Sequence, residues 1–245
     1  MEDRRAALAD LDAATERLLT TAARLSDEDM RAPSRLPGWS RGHVAAHLSR
    51  NADSCWNLLE WARTGREIPQ YESARRREDD VALGSGRPAA QQLDDLRESA
   101  ARFARQARTL PESAWHATVR ALHGWEHPAW FTVYRRWREV EVHHADLDAG
   151  YSRADWPDPY VGWELTATLA WLTERGGLAA GRVRATDADL DVRLGDGPEI
   201  SGPQRELLGW LMGRTSGTIL SITKGAALPA PPPWPQGPAT DRRQA

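Results

Sequence analysis

Gly38-Trp39-Ser40-Arg41-Gly42-His43-Val44-Ala45-Ala46-His47-Leu48 and, a hundred residues on, Arg138-Glu139-Val140-Glu141-Val142-His143-His144-Ala145-Asp146-Leu147 decide how this chain is read. Each has helical spacing, and residues four apart on a helix are neighbours, so His43 and His47 share one face and Glu139 and His143 share another. One ligand from the first helix and a pair from the second would give two imidazoles and a carboxylate, the set zinc enzymes use with a position left for water or substrate. That convergence requires the two helices to face each other.

Working outward, residues 4–25 carry Leu8, Leu11, Leu18, Ala22 and Leu25 near a helical period, and Ser26-Asp27 are read as the end of this first helix. Ser40 stands where an N-cap belongs, and the second helix runs from it to Gly65, a good C-terminal stop. Residues 68–87 are charged, contain Gly84 and Gly86 and lack a period, which predicts a long surface connection. Pro88 opens a third helix with Leu93, Leu96, Ala100, Phe103, Ala107 and Leu110 on one side, closed by Pro111. After an aromatic-rich strand or loop containing His123, Trp125 and His127, Pro128 is taken to start a fourth helix, with Trp130, Val133, Trp137, Val140 and Leu147 inward and Gly150 at its end. Four helices with one apolar face each imply a bundle, whose interior is where facing helices assemble metal ligands.

Past Gly150 the pattern changes. A helix over residues 160–175, strands over 182–191 and 192–200 joined at turns such as Asp196-Gly197, a helix over 203–212 and a strand over 218–223 predict a small α+β unit. The expected organisation is therefore α+β, with a helical bundle over residues 1–150, a small α+β domain over 151–228 and a Pro-rich disordered tail over 229–245.

The 245 residues carry a net charge of −3 with the basic residues spread along the chain, which argues against a nucleic-acid partner. No stretch is long and apolar enough to span a bilayer and the N-terminus has no signal-peptide core, so a cytoplasmic protein without membrane attachment is expected, a monomer or weak homo-oligomer. One cysteine, Cys55, excludes an internal disulfide and a cysteine zinc cluster. It is assigned to packing.

A histidine on an amphipathic helix is ordinarily structural, but His47 and the Glu139/His143 pair reinforce one another. Glu139, His143 and Asp146 fall in one narrow stripe, while Glu141 and His144 point to other sides. The alternative for Glu139 is a pairing with Arg135, four residues earlier. Asp146 suits the role of holding His143 by its other ring nitrogen, its alternative being a polar residue in a helix's last turn. His43, in a first turn, is expected to bond locally or line the cavity mouth. Most of the tryptophans, Trp39, Trp56, Trp61, Trp130 and Trp137 among them, are expected in the core or a cavity wall. Arg214, after a short helix, is either a carboxylate-gripping group or a surface arginine.

The stretch Leu36-Pro37-Gly38-Trp39-Ser40-Arg41-Gly42-His43-Val44-Ala45-Ala46-His47-Leu48, with Asn51-Ala52-Asp53, Trp61-Ala62-Arg63-Thr64-Gly65, Gly84-Ser85-Gly86-Arg87-Pro88, the Arg138 to Leu147 run followed by Gly150-Tyr151, and Trp210-Leu211-Met212-Gly213-Arg214, resembles the mycothiol-dependent maleylpyruvate isomerases. The resemblance spans most of residues 1–215. It implies a DinB-like four-helix metal domain followed by a small α+β domain, with His47, Glu139 and His143 binding a divalent metal, zinc by preference. It further implies that His47 and Arg214 serve catalysis, Arg214 helping to hold an anionic substrate. The aromatic segment His123-Gly124-Trp125-Glu126-His127 departs from the family pattern and is placed at the substrate entrance.

The activity so implied is cis/trans isomerisation of maleylpyruvate to fumarylpyruvate, in gentisate-type degradation of aromatic compounds, with a dicarboxylate substrate and the low-molecular-weight thiol mycothiol as partners. Rotation about the double bond needs a temporary single bond, which a thiolate adding to the alkene supplies and its elimination removes. Two other readings keep the metal: a mycothiol S-transferase acting on an electrophile, and a non-catalytic metal-binding bundle.

Overall fold

The computed structural model describes residues 2–223 and 226–232, and the chain divides into two compact units, the second beginning at Arg153. In the first, α1 (Glu2–Ala22) is followed by the short α2 (Asp27–Arg31), then α3 (Arg41–Thr64), α4 (Ala74–Ser85) and α5 (Ala89–Thr109). A hairpin of β1 (Thr118–Arg120) and β2 (Glu126–Pro128) precedes α6 (Phe131–Asp146). Helices α1, α3, α5 and α6 form the bundle: α3 packs on α5, α6 and α4, and α1 packs on α6 and α5. The apposition of α3 and α6 is what a shared metal site demands.

Local chemistry sets the position of α3. Ser40 caps it, its hydroxyl accepting the His43 N–H, and Gly65 ends it in the left-handed region with φ of 69°. Arg41 at its start donates to the carbonyls of Leu147 and Asp148, both at 2.7 Å, satisfying acceptors beyond the end of α6. One turn further in, buried Arg136 of α6 donates to the Leu48 carbonyl at 2.8 Å and to Asn51 Oδ1 at 2.9 Å. These contacts fix the register of α3 against α6 on either side of His47.

Several expectations are corrected. Ser26 does not end the first helix; that helix stops at Ala22, and Ser26 instead caps α2 by a reciprocal pair of bonds with Asp29. Residues 68–87 are not a structureless connection but hold α4, capped by Ser73 and carrying the exposed pairs Arg75–Asp79 and Arg76–Asp80. Pro128 does not open the fourth helix: it lies in β2, opposite Thr118, and α6 starts at Phe131 and ends at Asp146 rather than at Gly150.

The second unit contains α7 (Asp158–Arg175), β3 (Arg182–Ala185), β4 (Asp191–Arg193), β5 (Glu199–Gly202), α8 (Gln204–Leu211) and β6 (Ser221–Ile222). Its sheet runs β4-β3-β5-β6, with β3 parallel to β5 and the other pairs antiparallel. The strands are shorter than the sequence pattern predicts, because loops take residues 186–190 and 194–198, the second of them Leu194-Gly195-Asp196-Gly197-Pro198, whose glycines and proline favour a turn. Residues 226–232 have no regular secondary structure, and the rest of the Pro-rich tail lies outside the described residues. No helix of the described residues is long and apolar enough to cross a membrane.

Candidate metal centre

His47, in the second turn of α3, lies 2.9 Å from Glu139 through its Nε2, and His143 Nε2 approaches the same carboxylate oxygen at 3.3 Å. One ligand atom from each of the three falls within 4.8 Å of the others. The two imidazole rings meet edge to face with centroids 4.7 Å apart, so both direct a nitrogen at one point without stacking. His47 is buried, whereas the Glu139 side chain keeps 28% of its exposure, leaving an approach from one side.

Surrounding groups orient these donors. His143 Nδ1 is 2.9 Å from Asp146 Oδ2, and Asp146 is fully buried, so Nε2 is the nitrogen left for an ion. His43 spends its Nδ1 on the Ser40 N–H and hydroxyl and is not among the three converging side chains. The Trp39 ring packs on the edge of His47 at 5.6 Å and walls the site. Glu141 and His144 turn to the other side of α6, where they meet Arg17 and Thr21 of α1.

Burial depresses His47 to about 4 against the pull of Glu139, so this ring is neutral. Burial works the same way on His143, but the hydrogen bonds and charges of Asp146 and Glu139 outweigh it and raise the ring to about 9. Burial would raise Glu139 as well, yet bonds from the two imidazoles hold it well below the usual carboxylate range. In the absence of an ion, the proton that keeps His143 an imidazolium supplies the positive charge beside Glu139.

Sequence reasoning missed one cation at this centre and gave a second the wrong partner. Arg77 belongs to α4, and its Nη2 stands 3.2 Å from His47 Nδ1. The Ser73 cap and the spacing of the Arg75–Asp79 and Arg76–Asp80 pairs are the signals that could have located its helix. Arg135, considered as a partner for Glu139, donates instead to His127 and Gln70. Cys55 is completely buried, with its thiol 3.8 Å from Asn51 Oδ1. Arg214, in the second unit, donates from Nη1 to the Met212 carbonyl at 2.8 Å.

The donor chemistry fits a divalent cation. Two neutral-capable imidazoles and one carboxylate, one imidazole oriented by a buried acid, make a three-ligand set with room for a fourth. The set lies between facing helices of a bundle, the place where helical bundles assemble metal ligands. More specifically, residues 11–148 match the family model described as the mycothiol maleylpyruvate isomerase N-terminal domain, and the chain belongs to that family.

The chain is also similar along its length to the crystal structure of the mycothiol-dependent maleylpyruvate isomerase, with a TM-score of 0.84, 26% identity, and coverage of 94% of this chain and 97% of that one. A crystal structure of a histidine-to-alanine mutant of that isomerase matches with the same TM-score, 0.84. No curated protein sequence matches this chain.

Proposed function

We propose that this protein catalyses the metal- and mycothiol-dependent cis-to-trans isomerisation of maleylpyruvate to fumarylpyruvate. The observation that carries the reading is the meeting of His47, Glu139 and His143 from facing helices, in a chain that is similar over nearly its whole length to a solved isomerase of that name. These three side chains would hold the ion, and two imidazoles with one carboxylate favour zinc. When bound, a zinc ion supplies positive charge that lowers a thiol's pKa or polarises a carbonyl, and mycothiol supplies the nucleophile that adds to the double bond and leaves again.

The chain's own residues divide the remaining work. Asp146 holds the His143 ring, and Glu139 offsets part of the ion's charge. Trp39 shields one side of His47 from water. Cys55 offers no nucleophile: it is fully buried and burial pushes its thiol up, which is why the addition calls for an external thiol. Arg214 is assigned to a substrate carboxylate, which its planar fork suits.

The test is a cis/trans assay on the zinc-loaded protein with and without mycothiol. Isomerisation that requires the thiol and regenerates it is expected. Stoichiometric consumption of thiol would replace the isomerase reading with a transferase, and the absence of turnover with bound zinc would leave a binding protein.

A further inference from the structure

Arg135 lies one helical turn before Glu139 on α6, and the two therefore issue from the same face of the helix. Neutral groups alone grip its guanidinium. Nη1 donates to Nε2 of His127 at 3.1 Å, Nη2 donates to Oε1 of Gln70 at 3.3 Å, and the Trp125 ring lies 4.7 Å from it. Most of its donors find no protein acceptor among the described residues, and no carboxylate there forms an ion pair with it. Glu139 is near enough for its charge to be felt, but its Oε2 is already shared by His47 and His143.

The gripping groups are themselves buried and hydrogen-bonded. His127 is buried and points its Nδ1–H at the Pro128 carbonyl, 2.9 Å away, which leaves Nε2 as an acceptor facing the arginine. Burial and the Arg135 charge hold this ring at about 3, so it stays neutral. Gln70, also buried, donates to Ser54 Oγ at 3.3 Å while its Oε1 accepts the Leu122 N–H at 2.9 Å. A tether between hairpin and helix has no need of a charge, and even a half-buried cation without a counter-charge carries a cost. Such a group makes sense when its counter-ion arrives with a ligand. With a divalent ion in the triad, the Glu139 charge is spent as well.

We propose that Arg135, aimed by His127 and Gln70 and backed by Trp125, is a substrate-binding residue that receives a carboxylate of the small molecule at the metal centre. The aromatic hairpin His123-Gly124-Trp125-Glu126-His127 then sets specificity by fixing that cation. This inference rests on the isomerase reading only for the identity of the substrate.

The experiment is a calorimetric titration of the zinc-loaded full chain with maleate, a cis dicarboxylate without the keto group, set beside steady-state kinetics on maleylpyruvate with mycothiol. Loss of a charged hydrogen bond should weaken maleate binding in Arg135→Gln by about tenfold to a hundredfold. KM for maleylpyruvate should rise more than kcat falls, at unchanged zinc content. Arg135→Lys, which keeps charge but loses the fork, should bind between the two. Trp125→Leu should weaken binding a few-fold.

If circular dichroism shows Arg135→Gln unfolded, the latter two variants carry the test, and wild-type affinity in both overturns the assignment. A wild-type protein that does not bind maleate overturns it too. Maleate affinity and KM unmoved in a folded Arg135→Gln protein overturn the seat and leave the isomerase reading standing. Maleate held through Arg135 by a protein that does not turn over maleylpyruvate supports the seat and removes the isomerase.

Discussion

The Nδ1 of His143 lies 2.9 Å from Oδ2 of Asp146, three residues further along α6, and the acid is fully buried. This contact fixes both the orientation of the ring and the nitrogen it offers, and it raises the basicity of that nitrogen as a donor. Asp146→Asn keeps the shape and removes the charge. Its zinc affinity, measured by competition with a chromophoric chelator, should fall by about 10- to 100-fold. An affinity equal to wild type would show that Asp146 merely ends the helix.

The pH dependence of ion binding follows from the same ring. Without an ion, His143 keeps its proton up to about pH 9, while His47 stays neutral down to about 4. An ion requires a lone pair on both, so binding expels about one proton over the neutral range. Apparent zinc affinity should therefore climb about tenfold per pH unit between about 4 and 9 and level off above. Calorimetry in buffers of different ionisation enthalpy counts the proton, and a count near zero at pH 7 contradicts the assignment.

These shifts also shape the stability of the ion-free protein. His143 sits above its ordinary 6.5, so its contribution is complete below that pH and disappears as pH rises through about 9. His47 sits below 6.5, so its neutral burial begins to cost as pH falls from 6.5 towards 4. Chelator-treated protein should accordingly show the pair's contribution to urea stability peaking near 6.5. In the double variant His47→Gln/His143→Gln that peak should flatten.

What could be read from the sequence follows the range of the forces involved. The Ser40 cap, the Gly65 stop and the Glu139/His143 spacing are local, and all three are legible in short stretches. Helix α4 was not, because only Val81 and Gly84 of its twelve residues are buried, and it is held by a cap and charge pairs rather than by an apolar stripe. Ser26 misled because the residue that caps a helix is also one that commonly follows another. Arg135 misled for the opposite reason: its spacing suits Glu139, but a hairpin closing from residues 118–128 presents His127 first. Arg77 shares the fate of its helix.

Close approach of α3 and α4 seats Arg77, and glycines permit it. A Cβ on Gly84 would come 2.8 Å from Ala46 Cβ, and one on Gly42 would come 2.5 Å from the Ser85 carbonyl oxygen. Backbone and a methyl on a packed helix have little freedom to yield. Gly84→Ala should cost about 1–3 kcal/mol in urea unfolding. By displacing α4, it should also change zinc affinity through Arg77. A fully stable Gly84→Ala protein would show that the two helices part easily.

Arg77 bears directly on which proton His47 carries. A guanidinium only donates, and the neutral His47 ring presents Nδ1 to Arg77 Nη2 at 3.2 Å, so the lone pair is on Nδ1 and the proton on Nε2, where it donates to Glu139. An ion bound at Nε2 requires the other tautomer, and the Nδ1–H would then confront the arginine donor to donor. Arg77 must withdraw as the ion enters, and its charge opposes the ion as well. Arg77→Met should therefore bind zinc several-fold more tightly than wild type, while Arg77→Lys, retaining a cation, should gain less. Long-range nitrogen NMR of the His47 ring supplies the independent reading: proton on Nε2 in the chelated wild type, on Nδ1 in the zinc-loaded one. Zinc affinity lowered in Arg77→Met would mean that the arginine steadies the ligand rather than competing for its ring.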